Sequence, residues 1–163
     1  MNNLAKVLEA LRSLGLYEKV KNFIGITDYS IYWQRNPKYK GVKLGNSNLS
    51  FQSYGCYTCC LAYVAGLDPL EAMEKIKKGE GYKGALIISD KAAKALGLKY
   101  GGKDTNINNM PDWSPSIKEV RLGKGQHFVV RLIRGKTLIY DPWTGKEQAI
   151  NFYPFISYRR FQK

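Results

Sequence analysis

Hydrophobic residues near the start of the chain recur at helical spacing. Leucine and valine side chains return every three or four positions, which predicts an amphipathic helix over residues 3–14. Such a helix packs on its own domain or docks on a partner. We therefore expect an N-terminal amphipathic helical segment in residues 1–25, ahead of one domain that covers residues 26–163.

Three further helices are predicted after a loop-rich stretch that ends near residue 54. The run after Gly55 is apolar nearly all round, as in a buried central helix, and Gly66 can end it. An acidic N-cap followed by a proline predicts a second helix over about 69–78. The third is expected from Ile87 to Leu96.

Beyond Leu98 the pattern changes to clusters of β-branched and aromatic residues separated by turns that contain glycine. These clusters predict strands over residues 117–122, 127–133, 137–140 and 149–152. Helices first and strands second indicate an α+β fold in which an antiparallel sheet follows a helical half, with no βαβ repeat.

The charge of the chain points to anionic partners. Twenty-six lysine and arginine residues against thirteen acidic ones give a net charge of +13. Such a charge attracts nucleic acids, teichoic-acid-like polymers or acidic membrane surfaces, although a scattered basic surface also serves solubility alone. No segment reaches the ~20 apolar residues that a membrane span needs.

The cysteines indicate a reducing site of synthesis. Cys56, Cys59 and Cys60 lie within five residues, so they cannot join distant parts of the fold as a secreted disulfide framework would. The N-terminus has charges inside its apolar pattern, which argues against a secretory signal. We expect cytoplasmic synthesis without a signal peptide.

Cys56 occupies a position suited to nucleophilic chemistry. The first turn of a helix stabilises a thiolate through unpaired backbone N–H groups and the helix dipole. The single histidine, His127, begins one predicted strand, and Asp141 ends the next. If residues 134–136 form a three-residue hairpin loop, residue 127 pairs with residue 143, and Asp141 lies diagonally on the same face as His127. Cys–His–Asp catalysis requires a histidine that donates its second ring N–H to a carboxylate.

Five short motifs occur in order along the domain. They are Trp33-Gln34-Arg35-Asn36-Pro37, Tyr54-Gly55-Cys56, Gly79-Glu80-Gly81-Tyr82, Gln126-His127-Phe128-Val129-Val130 and Tyr140-Asp141-Pro142-Trp143-Thr144-Gly145. Together they resemble the stand-alone relatives of the bacteriocin-processing, double-glycine peptidases of the papain-like superfamily, many of which are bacterial or phage-encoded. One motif alone would be weak, but the shared order makes the set specific. The resemblance implies a papain-like fold.

The resemblance also implies catalytic roles. Cys56 would attack a carbonyl, His127 would shuttle the proton, and Asp141 would hold His127. In the family a glutamine ahead of the cysteine helps to form the oxyanion hole together with the backbone N–H of the cysteine. Gln34 lies in the matching motif and is favoured over Gln52, which is closer to Cys56 in sequence but outside that motif.

Each of these residues also has an ordinary structural interpretation. A lone histidine beside a strand is usually a satisfied structural residue, a cysteine is often a small core residue, and an aspartate before proline often forms a turn. We interpret Cys59 and Cys60 as residues of the helix core.

Other functions remain as alternatives. The C-x-x-C spacing of Cys56 and Cys59 is that of a thiol oxidoreductase, but the preceding segment has no apolar strand. A zinc site is disfavoured because the adjacent residues Cys59 and Cys60 point to different faces of a helix. A papain-like module without catalytic activity could instead bind an anionic polymer or a partner protein.

The expected function is hydrolysis of amide bonds through an acyl-enzyme thioester. The substrate would be a protein cleaved at a glycine-rich or small-residue site, or the peptide stems of bacterial cell wall. The basic charge and the phage-like resemblance favour the cell wall, with the protein carried in a virion or released at lysis. No cofactor is implied, because a thiol hydrolase needs only a base and oxyanion donors.

Overall fold

The computed structural model describes residues 29–110, 116–132 and 138–162. The helix predicted over residues 3–14 and the rest of the segment 1–25 lie outside these ranges. So do residues 134–136 of the predicted hairpin loop.

The stretch before Gly55 contains short helices where the sequence predicted only loop. Two 3-10 helices cover Tyr29–Tyr32 and Pro37–Tyr39, and a single-turn helix, α1, covers Phe51–Tyr54. The Asn36 side chain caps the second of these by accepting from the Lys38 N–H, and Pro37 presets its first turn. These short helices therefore form through a local cap and the burial of Tyr39 and Phe51, and not through a helical repeat of apolar residues.

The long helices agree with the pattern. Helix α2 covers Cys56–Ala65 and ends at Gly66 in the left-handed conformation, and α3 covers Pro69–Lys78. The predicted third helix is correct in place but shorter, because α4 covers only Ser89–Ala95. Ile87 belongs instead to a hairpin of β1 (Tyr82–Lys83) and β2 (Leu86–Ile87).

The second half forms one antiparallel sheet of six strands in the order β3-β8-β4-β5-β6-β7. The strands are β3 (Lys99–Asp104), β4 (Ser116–Leu122), β5 (Gly125–Arg131), β6 (Leu138–Asp141), β7 (Lys146–Ala149) and β8 (Phe155–Gln162). This arrangement confirms the predicted α+β class. The pattern missed β3 and β8 and placed β7 about three residues too late, since residues 150–152 form a turn.

The main core lies between α2 and one face of the sheet. Residues of β5 and β6 that alternate along each strand, such as Val130 and Tyr140, pack with the buried Leu61 of α2. A smaller cluster that includes Val129 and Ile139 covers the other face. Burial of this helix against the sheet brings the start of α2 beside β5.

Within the described residues, no helix has both the length and the apolar composition needed to cross a membrane.

Candidate active site

Cys56 is the first residue of α2, and a glycine shapes the entry to this helix. Gly55 occupies the N-cap position, and a Cβ atom there would lie 2.6 Å from the carbonyl oxygen of Phe51. A larger residue would therefore push the first turn away from α1. Cys56 is partly exposed, whereas Cys59 and Cys60 are fully buried, as predicted for residues of the helix core.

His127 and Asp141 lie on neighbouring strands in the predicted register. Val130 pairs with Tyr140 in the β5–β6 ladder, a register that places residue 127 opposite residue 143 when it is continued. The His127 Nε2 and the Asp141 Oδ1 are 2.7 Å apart. Only 2% of the surface of His127 and none of Asp141 is exposed, so water cannot screen this pair.

Within the described residues, four groups form hydrogen bonds with the Asp141 carboxylate. Oδ1 accepts from His127 and from the Trp143 backbone N–H, and Oδ2 accepts from the Thr144 and Tyr153 hydroxyls. The bond from Trp143 N–H, two residues later, makes Asp141 the former of a turn as well as the partner of the histidine. The sequence suggested the turn through Asp-Pro-Trp-Thr-Gly, but no pattern indicated Tyr153, whose hydroxyl lies 2.7 Å from Oδ2.

The network favours a charged His127–Asp141 pair. Burial alone would lower the pKa of His127, but hydrogen bonds with Asp141 and Cys56, and the negative charges of both, raise it to about 9. Burial alone would raise the pKa of Asp141, and bonds with His127, Tyr153 and the Trp143 N–H hold it below its usual value. Because Nε2 bonds Asp141, Nδ1 is the ring nitrogen left for the hydrogen bond between His127 and Cys56.

Of the two candidate oxyanion glutamines, Gln34 lines the cavity that contains Cys56 and His127. Its backbone N–H donates to Pro142, which ties this loop to the turn after Asp141. One N–H of its buried amide donates to the backbone carbonyl of Gln52 at 3.1 Å, and the second N–H has no partner among the described residues. The Gln52 amide instead donates to the backbone carbonyls of Arg35 and Asn36.

The cavity around these residues has a volume of about 460 Å³. One part of its lining is apolar and includes Leu49, Tyr54 and Leu86, three large side chains that are otherwise exposed. Trp143 also lines the cavity, as do Glu119 and Arg159, which the sequence did not suggest. A cavity of this volume can hold a small ligand in contact with Cys56.

The described residues give little support to the other cysteine chemistries. They contain no group of three or more His, Cys, Asp or Glu side chains that could hold a metal ion. Burial raises the pKa of Cys59 well above its usual value, so it is a poor partner for thiol exchange with Cys56. The residues before α2 form the short helix α1, and the main sheet is antiparallel, so the context of a βαβ redox motif is missing from the described part of the chain.

Comparisons with models of protein families, with curated proteins and with solved structures gave no match for this chain. The relationship to the double-glycine peptidases therefore stays a prediction from the sequence motifs.

Proposed function

We propose that this protein is a papain-like cysteine hydrolase that cleaves amide bonds. The observation that carries the proposal is the buried 2.7 Å contact of Asp141 with His127, which lines the same cavity as Cys56. A histidine held by a carboxylate on one nitrogen and facing a thiol with the other is the arrangement of an activated cysteine nucleophile. The motif order in the sequence supports the same assignment independently.

The reaction would proceed in two steps. The Cys56 sulfur attacks the substrate carbonyl, and His127 donates its proton to the leaving amine as the C–N bond breaks, which leaves a thioester. A water molecule then attacks the thioester while His127 accepts a proton from the water, and the acid product and the thiol are released. Asp141 keeps the imidazole oriented throughout and stabilises its positive charge.

The carbonyl oxygen becomes negatively charged in both steps and needs donors. The free N–H of the Gln34 amide and the backbone N–H of Cys56 at the start of α2 are the groups assigned to it. Loss of one such donor typically raises the barrier by about 3–4 kcal/mol. The location of Gln34 in the cavity supports this role over the same role for Gln52.

The substrate class follows from charge and from the resemblance. A net charge of +13 concentrates the protein on anionic polymers, such as those of bacterial cell walls. We therefore favour the peptide stems of cell wall, with proteins cleaved at glycine-rich or small-residue sites as the second class. A phage-encoded enzyme carried in a virion or released at lysis would fit the first class.

The test is incubation of the purified chain with two substrates, isolated cell wall and a peptide library made from a digested proteome. Mass spectrometry of the products should reveal new amide cleavage in at least one of them, and none with Cys56→Ala. A Cys59→Ala variant is the matched control, because it removes a buried thiol without touching the proposed nucleophile. Wild-type protein that cleaves neither substrate, or cleavage that Cys56→Ala retains, would contradict the proposal.

A further inference from the structure

Arg159 of β8 contacts the residues that follow Cys56 and His127 in sequence. Tyr57 and Phe128, the residues that follow Cys56 and His127 in sequence, stack their rings with centroids 4.4 Å apart. The guanidinium carbon of Arg159 lies 4.9 Å from the Phe128 ring centre and 5.3 Å from that of Tyr57. Cation–π contacts with both rings fix the guanidinium relative to the two catalytic positions.

Arg159 also belongs to an ion cluster centred on the carboxylate of Glu119. The carboxylate of Glu119 accepts from Arg159 Nη1 at 3.0 Å and from the Ser157 hydroxyl at 2.6 Å, and Lys103 lies 3.2 Å away. Burial alone would raise the pKa of Glu119, but these partners hold it below its usual value, so the carboxylate stays ionised. Two cations share one carboxylate, so the cluster keeps an excess positive charge.

Arg159 and its partner Glu119 line the cavity, whereas Lys103 does not. Arg159 lines the same cavity as Cys56 and His127, and it is the only lysine or arginine among the described residues of the lining. Only Nη1 of the guanidinium has a hydrogen-bond partner within the described residues, and 13% of the side chain is exposed. The remaining N–H donors can therefore meet a bound ligand.

We infer that Arg159 determines specificity by binding a carboxylate of the substrate, either an acidic side chain or a free C-terminal carboxylate. A rigid planar guanidinium with unused donors matches a carboxylate with two parallel hydrogen bonds, which a neutral amide cannot reproduce. This inference rests on the proposed function, since it supplies the substrate class for the same cavity. If Arg159 served only to neutralise Glu119, the chain would show no preference for acidic ligands.

The test uses reagents that react with Cys56 without requiring hydrolysis. Chloroacetyl dipeptide amides ending in Glu or in Gln compare an acidic side chain with its neutral match. Chloroacetyl-Gly-Ala and its C-terminal amide make the same comparison for a terminal carboxylate. The rate of Cys56 alkylation, measured by mass spectrometry, is divided by the rate with free N-acetylcysteine, which removes the intrinsic reactivity of each reagent.

We expect the acidic reagent of at least one pair to react about tenfold faster than its neutral match, the size of one charged hydrogen bond. Arg159→Gln should abolish the preference. Arg160→Gln is the matched control, because it removes the same charge from the neighbouring residue, whose guanidinium bonds the Gly101 carbonyl outside the cavity lining. The double variant Glu119→Gln/Arg159→Gln repeats the test without a buried carboxylate that has lost its arginine partner, in case the single variant does not fold.

Equal normalised rates within both pairs, or a preference that survives Arg159→Gln, would overturn the inference. A preference within the Glu and Gln pair would identify an acidic side chain as the ligand, and a preference within the Gly-Ala pair would identify a C-terminal carboxylate. The outcome is separable from that of the proposed function. An acid preference that depends on Arg159, in a protein that cleaves no amide, would retain the carboxylate site and reject hydrolysis.

Discussion

The protonation of His127 offers a quantitative test of the site, because this residue is the only histidine in the chain. Its pKa is raised from the usual 6.5 to about 9 against the effect of burial. A tenfold change in a protonation equilibrium corresponds to ~1.4 kcal/mol, so the site favours the protonated ring by about 3 kcal/mol. Asp141, at 2.7 Å, and Cys56 are the partners that supply this preference.

The assay is an NMR titration of the imidazole signals, which need no assignment experiment because one histidine gives one set. Wild-type protein should keep a protonated ring through neutral pH and titrate near pH 9. Asp141→Asn should lower the midpoint by more than one pH unit, since a neutral amide removes the charge but keeps the shape. Lys118→Met, a change of a buried charge outside the cavity lining, is the control for general effects of charge. A wild-type midpoint at or below the ordinary value of ~6.5 would refute the reasoning.

Three further predictions follow from the same contacts. Tyr153→Phe removes one donor to Asp141, which leaves the carboxylate more basic and less firmly oriented. The variant should slow hydrolysis by about tenfold and raise the His127 midpoint, and an unchanged rate and midpoint would reduce Tyr153 to a packing role. Gln34→Ala should reduce the turnover rate by ~100-fold or more. Gln52→Ala should reduce it far less, because Gln52 does not line the cavity. A larger loss in Gln52→Ala than in Gln34→Ala would assign the oxyanion role to Gln52. The stability that His127 contributes is fully present below its unfolded pKa of ~6.5 and is lost as the pH rises through about 9. Urea unfolding should therefore show a free-energy difference between wild type and His127→Ala that shrinks from pH 6 to pH 10, and a difference that grows over this range would contradict the sign.

The sequence predicted the contact between His127 and Asp141 because its geometry is local. The register assumed from the sequence is the register in which β5 pairs with β6, so the spacing of His127 and Asp141 was enough to place them together. The start of α2 was also predicted from the sequence, since Gly55 and the apolar run that follows it indicate where the helix begins. Both features depend on neighbours in sequence, which pattern and capping rules describe.

The rest of the site depends on distant pairings that no local pattern encodes. Strand β8 contains the basic pair Arg159-Arg160 and lacks clean alternation, so it was not recognised. Its insertion between β3 and β4 brings Arg159 to Glu119 and into the cavity. Tyr153 reaches Asp141 from the turn before β8, where residues 150–152 had been predicted as strand. Sheet order, which arises from long-range contacts, was the missing information.

The most direct test of the central claim is the rate at which iodoacetamide labels Cys56 in the native protein near pH 6, followed by peptide mass spectrometry. A thiol reacts as its thiolate, and a neighbouring imidazolium stabilises that form. The account predicts rapid labelling of Cys56, none of the buried Cys59 and Cys60, and at least about tenfold slower labelling of Cys56 in His127→Ala. Labelling of Cys56 that is no faster than that of Cys59 and Cys60, or that does not change without His127, would contradict it.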